Sequence, residues 1–368
     1  MNRSLPVLLL LSVASAARLE CQATWPVDAK PLVIIGGSAS DDDGFEVIWD
    51  ATRLRDGRIV VGDRGNSPTR VFSATGAALG EFARKGSGPG EIRYPMSIMR
   101  CADSLYILDG DEGYRVSVFA PNGRFVRSFR FGMPTGQQSP YATACNKSQF
   151  VHLGWEDIRQ AKAGTFRTPA PVWQTGANDS ITRVIGNFPA SERFGLVIDG
   201  VLRGTRPLPF GRETRIAMGR DRIYVGTAND SRIEQFDFNG RNIGSLNTDL
   251  KPVRLSTADV NGEKEREMVT GSRRSTERDY KEIAIPAFAP PYSRIMVDSE
   301  DLLWVQEYPR ASAPMTEWHI FSRTGAKVGK ALLPSQFEPY DIDRNSIMGR
   351  YIDVKEAVPQ IRVYKLNR

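Results

Sequence analysis

A hairpin signature recurs along this chain. An aromatic residue closes one strand, a turn reaches glycine four residues later, and another strand begins. It reads Phe72-Ser73-Ala74-Thr75-Gly76 and Phe119-Ala120-Pro121-Asn122-Gly123, then Phe236-Asp237-Phe238-Asn239-Gly240 and Phe321-Ser322-Arg323-Thr324-Gly325. A unit this small cannot bury an apolar face alone. Its copies therefore call for a repeat architecture in which neighbours stack.

Each copy sits in a longer frame. A polar turn precedes a β-rich run at Asp56–Gly62, with counterparts at Ala102–Leu108, Arg220–Gly226 and Ser299–Val305. A first strand lies upstream, as at Met96–Met99 and Arg294–Val297, and a last strand downstream, as at Arg124–Phe129. Four short strands joined by tight turns form an antiparallel meander, and such sheets repeated radially form a β-propeller. The long gap between Phe119 and Phe236 has room for a degenerate blade over Tyr141–Val184, with Cys145–Leu153 as its first hairpin. A last sheet follows at Tyr340–Ile342, Ile347–Asp353 and Gln360–Leu366, one strand short. Pro31–Ile35 supplies the missing strand, which would close the ring and remove exposed sheet edges. The expected fold is all-β: a six-bladed propeller of four-stranded antiparallel blades over residues 31–368, with insertions at 187–213 and 250–292.

Residues Gly86-Ser87-Gly88-Pro89-Gly90-Glu91-Ile92-Arg93-Tyr94-Pro95 resemble the blade-to-blade linker of NHL-repeat propellers. Asp63–Asn66 with Val71-Phe72, and more fully Asp230–Phe236, are similar to the core of that repeat. Ile285–Arg294 and Val297–Val305 resemble secreted bacterial six-bladed propellers of unassigned function. The resemblance implies a fold and no activity, because propeller sites are grafted onto loops.

Residues 1–16 read as a signal peptide: Arg3, an apolar run Leu5–Val13, and Ala14-Ser15-Ala16 as the cleavage site. Residues 17–30 are a lead-in. Cys21 follows Leu19-Glu20, which lack the small residue that lipidation requires. No run reaches the roughly 18 apolar residues of a membrane span. The expected location is periplasmic or extracellular. The +6 charge is small against 49 basic and 43 acidic residues. No basic stripe interleaves with stacking aromatics, so nucleic acid is not an expected partner. Cys101 and Cys145 occupy the same frame position in successive blades, within reach of a disulfide in an oxidising compartment or else two half-buried thiols.

Two histidines, His152 and His319, are too few for lyases of this class that bind zinc through several histidines. His152, with Trp155 nearby, is a candidate ligand-binding residue; the alternative is a strand histidine satisfied by backbone. His319 lies mid-strand opposite Trp318 and Ile320, which suggests a surface role. Calcium is a possible cofactor, because lactonases on six-bladed propellers use axial carboxylates. The tentative ligands are Glu46, Asp50, Asp298 and Asp341. Asp41-Asp42-Asp43-Gly44 is not an EF-hand loop, no nucleophile elbow occurs, and Gly86–Gly90 lacks the lysine of a phosphate loop.

The insertions are the informative departures, since long loops in a compact repeat are commonly functional. Ser256-Thr257-Ala258-Asp259 starts a helix running through Met268. Arg273, Arg274 and Arg278 follow, interleaved with acidic residues: either a solvated mixed-charge face or a lid over the channel mouth that offers arginines to an anionic ligand, with Phe194, Pro207, Pro209 and Phe210 of the first insertion as the opposite wall. Two functional expectations result. One is an exported platform for a peptide, glycan or protein ligand. The other is a calcium-dependent, lactonase-like hydrolase or lyase acting in the central channel.

Overall fold

The computed structural model describes residues 23–37, 44–65, 69–111, 113–147, 149–176, 180–269, 281, 283–352 and 358–368. Antiparallel four-stranded sheets recur along the chain. The first joins Ile48–Arg53, Ile59–Asp63, Thr69–Phe72 and Ala78–Ala83 in sequence order, and the second joins Pro95–Cys101, Ser104–Asp109, Arg115–Phe119 and Phe125–Phe129. The third contains Ala142–Asn146, Gln149–Leu153, Pro169–Thr175 and Ile181–Pro189, and the fourth contains Arg215–Met218, Arg222–Gly226, Arg232–Asp237 and Asn242–Asn247. The fifth runs through Tyr292–Val297, Leu303–Glu307, Met315–Phe321 and Lys327–Pro334, with Ala23–Thr24 added in parallel at its edge.

The sixth sheet draws on both ends of the chain. Phe337–Ile342, Ser346–Ile352 and Pro359–Lys365 are completed by Val33–Ile35, which pairs antiparallel with the last of them, Ile35 opposite Ile361. The segment 31–35 thus lies where the hydrophobic pattern places it.

Second strands such as Ile59-Val60-Val61 and Leu105–Leu108 are buried along their whole length. They are continuous apolar runs because both faces of each sheet are covered, which removes the usual alternation. Val60, Val71, Ile98 and Ile107 pack between the first and second sheets; Tyr106, Val118 and Phe150 pack between the second and third. Val172, Phe188, Ile223 and Phe236 join the third and fourth, and Ile233, Leu246, Ile295 and Phe321 the fourth and fifth. Trp304, Trp318, Phe337 and Ile347 join the fifth and sixth. Ile48, Val61, Met348 and Ile361 join the sixth to the first. The signature glycines Gly76, Gly123, Gly240 and Gly325 all have φ between +70° and +92°. Each turn requires that left-handed conformation, which a side chain disfavours.

A repeated ion pair fixes the sheet starts. Asp63 ends a second strand and accepts hydrogen bonds from Glu46 N and Val47 N, while Arg70 approaches it to 3.6 Å. Asp109 does the same for Arg93 N and Tyr94 N, with Arg115 at 3.6 Å. Arg115 also donates to Ser87 O and Glu91 O, so it pins the glycine-rich linker. Arg232 pairs instead with the adjacent turn residue Asp230 at 2.8 Å.

The insertions carry structure of their own. Residues 193–207 form a hairpin, Arg193–Ile198 with Val201–Pro207. The described residues contain one α-helix, α1, at Thr257–Val269. Ser256 caps it: its Oγ accepts from Asp259 N, and Asp259 Oδ2 accepts from Ser256 N at 2.9 Å. Asp259 Oδ1 also accepts from Ser312 N, and Gly262 lies against Ala311, so α1 docks on the fifth sheet's connecting loop. No helix among the described residues is long and apolar enough to cross a membrane.

Candidate functional site

A cavity of about 200 Å³ opens where the two insertions meet the fifth and sixth sheets. One wall is the turn Pro207–Gly211, which includes Pro207, Pro209 and Phe210; facing it are Glu263, Arg266 and Glu267 of α1. The floor is built from Tyr292–Arg294, Gln306 and Tyr308 of the fifth sheet, with Glu338 and Arg350 of the sixth. Phe210 has φ +57° and packs its ring, 4% exposed, 5.9 Å from that of Tyr308 at the cavity wall.

The charges around the cavity are arranged in pairs. Glu338 accepts Arg294 at one carboxylate oxygen and Arg350 at the other. Burial works to raise its pKa, but the two guanidiniums outweigh this and hold the carboxyl well below the ordinary range. Arg350 also donates to Ile48 O, which ties the sixth sheet to the first. Arg215 pairs with Glu213 at 2.6 Å and donates to Ser293 O. Glu263 pairs with Arg266 at 2.5 Å one turn along α1. Glu192 is buried and receives Arg212. The cavity therefore combines a partly exposed aromatic, Tyr308, with polar groups, and Glu338, Glu213 and Glu263 each have an arginine partner.

Trp155 does not line the cavity. It is 39% exposed, donates from Nε1 to Ser139 Oγ, and meets Tyr141 edge-on at 4.9 Å. Tyr141 donates to Glu213, a cavity residue. Arg273, Arg274 and Arg278 lie outside the described residues.

The assignment of His152 to ligand binding is corrected by its surroundings. It is fully buried, with Nδ1 2.9 Å from Thr143 Oγ1 and Nε2 2.9 Å from Thr175 Oγ1. Phe131 and Trp173 enclose the ring at 4.3 and 5.0 Å. It packs as a core residue with none of its surface exposed. Burial pushes its pKa down to about 3. Between about pH 6.5 and 3 the unfolded chain thus binds a proton that the native chain refuses, so stability falls with acidification across that window. In urea titrations at pH 7, 5 and 4, His152→Gln is expected to flatten this slope. An unchanged slope would contradict the assignment.

The tentative calcium ligands are not gathered into one set. Among the described residues, the only His, Cys, Asp and Glu side chains with three ligand atoms close together are Glu307, Glu317 and His319. Glu46 is exposed at the start of the first sheet. Asp298 is closed off as a turn residue, accepting from Glu300 N, Leu302 N, Trp304 Nε1 and Arg368. Asp50 and Asp341 do lie on the leading strands of the neighbouring first and sixth sheets. Asp50 accepts from Ile98 N, Ala51 N and Ser97 Oγ, yet loss of water pushes its carboxyl up to about 6. Burial also raises Asp341, against Arg53 and Arg100.

Cys101 and Cys145 are joined in a disulfide between the leading strands of the second and third sheets, with Cα atoms 5.8 Å apart. His319 proves to be buried, at 7% exposure, and not a surface residue. It does lie on the face opposite Trp318 and Ile320, but the fourth sheet covers that face as well.

Both insertions contribute to the cavity, the first through Pro207–Gly211 and the second through Glu263, Arg266 and Glu267; Phe194 does not line it. Sequence reasoning missed Glu338, Arg294 and Arg350, which sit on sheet strands and have no local signal. Only the packing of the fifth sheet on the sixth brings them together.

No protein-family model matches the chain, and no curated protein matches its sequence. Solved structures do resemble it. A member of the duf4221 family from Bacteroides vulgatus is 10% identical with a TM-score of 0.54, over 94% of this chain and 100% of that one. A calcium-binding protein, regucalcin from Agrobacterium tumefaciens, is 8% identical with a TM-score of 0.42, over 94% and 96%. Virginiamycin B lyase from Staphylococcus aureus is 11% identical with a TM-score of 0.37, over 94% and 99%. The structures found are propeller-like, and at these identities the likeness concerns fold alone.

Proposed function

We propose that the chain is an exported six-bladed β-propeller that binds a peptide or glycan in the cavity between its insertions. In this reading residues 1–16 are the signal peptide, 17–30 the lead-in and 31–368 the ring, interrupted at 187–213 and 250–292. The cyclic succession of apolar clusters, with Ile48 and Met348 packed in one of them, supports a closed ring. The disulfide supports an oxidising compartment.

One observation carries the functional reading. Two segments that interrupt the repeat at distant points of the sequence converge on one cavity lined by Phe210, Tyr308 and polar groups. Aromatic faces beside hydrogen-bonding rims suit sugar rings and peptide groups. The test is saturation-transfer NMR of the mature protein against peptide and glycan libraries. A saturable ligand is expected, and Phe210→Ala should weaken it about tenfold, or about 1.4 kcal/mol. No ligand, or one indifferent to Phe210→Ala and Glu267→Gln, would sink the proposal.

A second reading, a calcium-dependent hydrolase or lyase acting in the channel, draws on Asp50 and Asp341, which lie on the leading strands of the neighbouring first and sixth sheets. Thermal unfolding after chelation and calcium return separates the two. Calcium at a hundredfold over its Kd adds roughly 2.7 kcal/mol, and a shift abolished by Asp50→Asn would favour the enzyme.

A further inference from the structure

We infer that Glu307, Glu317 and His319 form a binding site for one first-row divalent transition ion of the zinc type. The site is independent of the cavity. Gln306 and Tyr308 line the cavity and Glu307 does not, because successive residues of a strand face opposite ways. Glu317 and His319 come from the next strand, where His319 sits opposite Val305.

The geometry suits an ion. His319 Nε2 lies 3.1 Å from Glu307 Oε1 and 3.2 Å from Glu317 Oε1. Tetrahedral zinc bonds of about 2.0–2.2 Å set neighbouring ligand atoms roughly 3.3–3.6 Å apart. Both separations are within a few tenths of an ångström of that spacing, and all three ligand atoms lie within 4.8 Å of one another. A ring nitrogen carries at most one proton, so it cannot donate fully to two carboxylate oxygens.

The orientation of the ring is the second observation. His152 shows how a buried histidine is satisfied in this protein, with one threonine at each nitrogen. His319 is nine-tenths buried and directs Nε2 at the two carboxylates, while Nδ1 has no hydrogen-bond partner among the described residues. Ordinary two-ended hydrogen bonding therefore does not set its direction. Lys330 Nζ donates to Glu317 Oε2 at 2.9 Å, which fixes the carboxylate and leaves Oε1 toward the ring. Such an outer contact orients a ligand.

Charge and access agree with this. Lys330 pairs with Glu317, and Lys327 and Arg310 also act on the two glutamates, so the carboxylates are held ionised and ready to serve as ligands. The glutamate side chains are 39% and 23% exposed, so an ion enters from their side. An imidazole nitrogen with two carboxylate oxygens selects zinc-like ions over calcium. Three protein ligands leave a fourth position for water or a small donor.

The experiment is calorimetric titration of tag-free, metal-stripped protein with Zn²⁺, with Co²⁺ absorption spectra as a second readout. One ion per chain is expected, with tetrahedral-type cobalt bands. His319→Gln and Glu307→Gln should each weaken uptake by more than the roughly 10–100-fold of outer-contact changes. Glu307 is partly exposed, so its variant keeps the fold if His319→Gln does not. Absence of zinc uptake, uptake unchanged in Glu307→Gln, or binding of calcium and not zinc would each overturn the assignment. Ligand binding in the cavity should be unaffected by Glu307→Gln, so the two proposals can fail separately.

Discussion

Glu338→Gln is expected to destabilise the protein by about 3 kcal/mol at neutral pH, because removing one partner strands buried charge. Glu338 pairs with both Arg294 and Arg350. Glutamine accepts one hydrogen bond but neutralises neither guanidinium. The three side chains are 20–28% exposed, so water recovers part of the loss and the lower end of the 3–5 kcal/mol range applies. The wild-type contribution also has a defined pH dependence. The folded pKa lies well below the ordinary 4.5. The stabilisation is therefore complete above about pH 4.5, declines progressively below it, and is gone once pH has fallen through the depressed folded value. Urea titrations of both proteins at pH 7 and pH 3 would show the gap narrowing in acid. Adding Arg350→Gln to the variant should cost less than the sum of the single changes, since the residues touch. Equal stability of wild type and Glu338→Gln at pH 7 would show that the cluster is solvated and contributes nothing.

Loss of the Cys101–Cys145 disulfide is expected to cost about 2–4 kcal/mol. The bond spans a sequence separation of 44 residues and ties the leading strands of adjacent sheets. Without it, the unfolded chain regains the entropy of that loop while the native contacts stay in place. Cys101 is 2% exposed within the cluster containing Tyr106 and Phe150, so the serine pair adds a modest packing loss. The midpoint of thermal unfolding should drop by about 5 °C or more, given roughly 2–4 °C per kcal/mol in domains of 150–250 residues. Reductant should lower the wild-type midpoint and leave Cys101→Ser/Cys145→Ser unmoved. A wild-type midpoint indifferent to reductant would refute the prediction.

The strands were legible for a local reason. Phe-to-Gly hairpins and runs such as Ile59-Val60-Val61 encode strand, turn and burial within a few residues, because β-branched packing and positive φ act over short range. Even the degenerate third sheet was found, since Cys145–Leu153 has the right pattern around a polar turn. The capped start of α1 was readable for the same reason. The histidines were not. His152 and His319 each sit mid-strand, and the face they occupy becomes interior only because another sheet covers it. A strand alternates, and its sequence does not say whether one or both of its sides will be closed.

The cavity divides in the same way. Insertion length marked Pro207–Gly211 and α1 as departures from the repeat, which is information that spacing carries. Where they meet was decided by the stacking of sheets between them, as was the convergence of Arg294, Glu338 and Arg350 from separate strands. The β-rich repeat, its turns and the capped helix follow from the chain's local order, because each depends on residues a few positions apart. Tertiary structure alone decided which charges pair, which histidine is satisfied and which is aimed at two carboxylates. Such contacts join residues whose separation in sequence bears no relation to their separation in space.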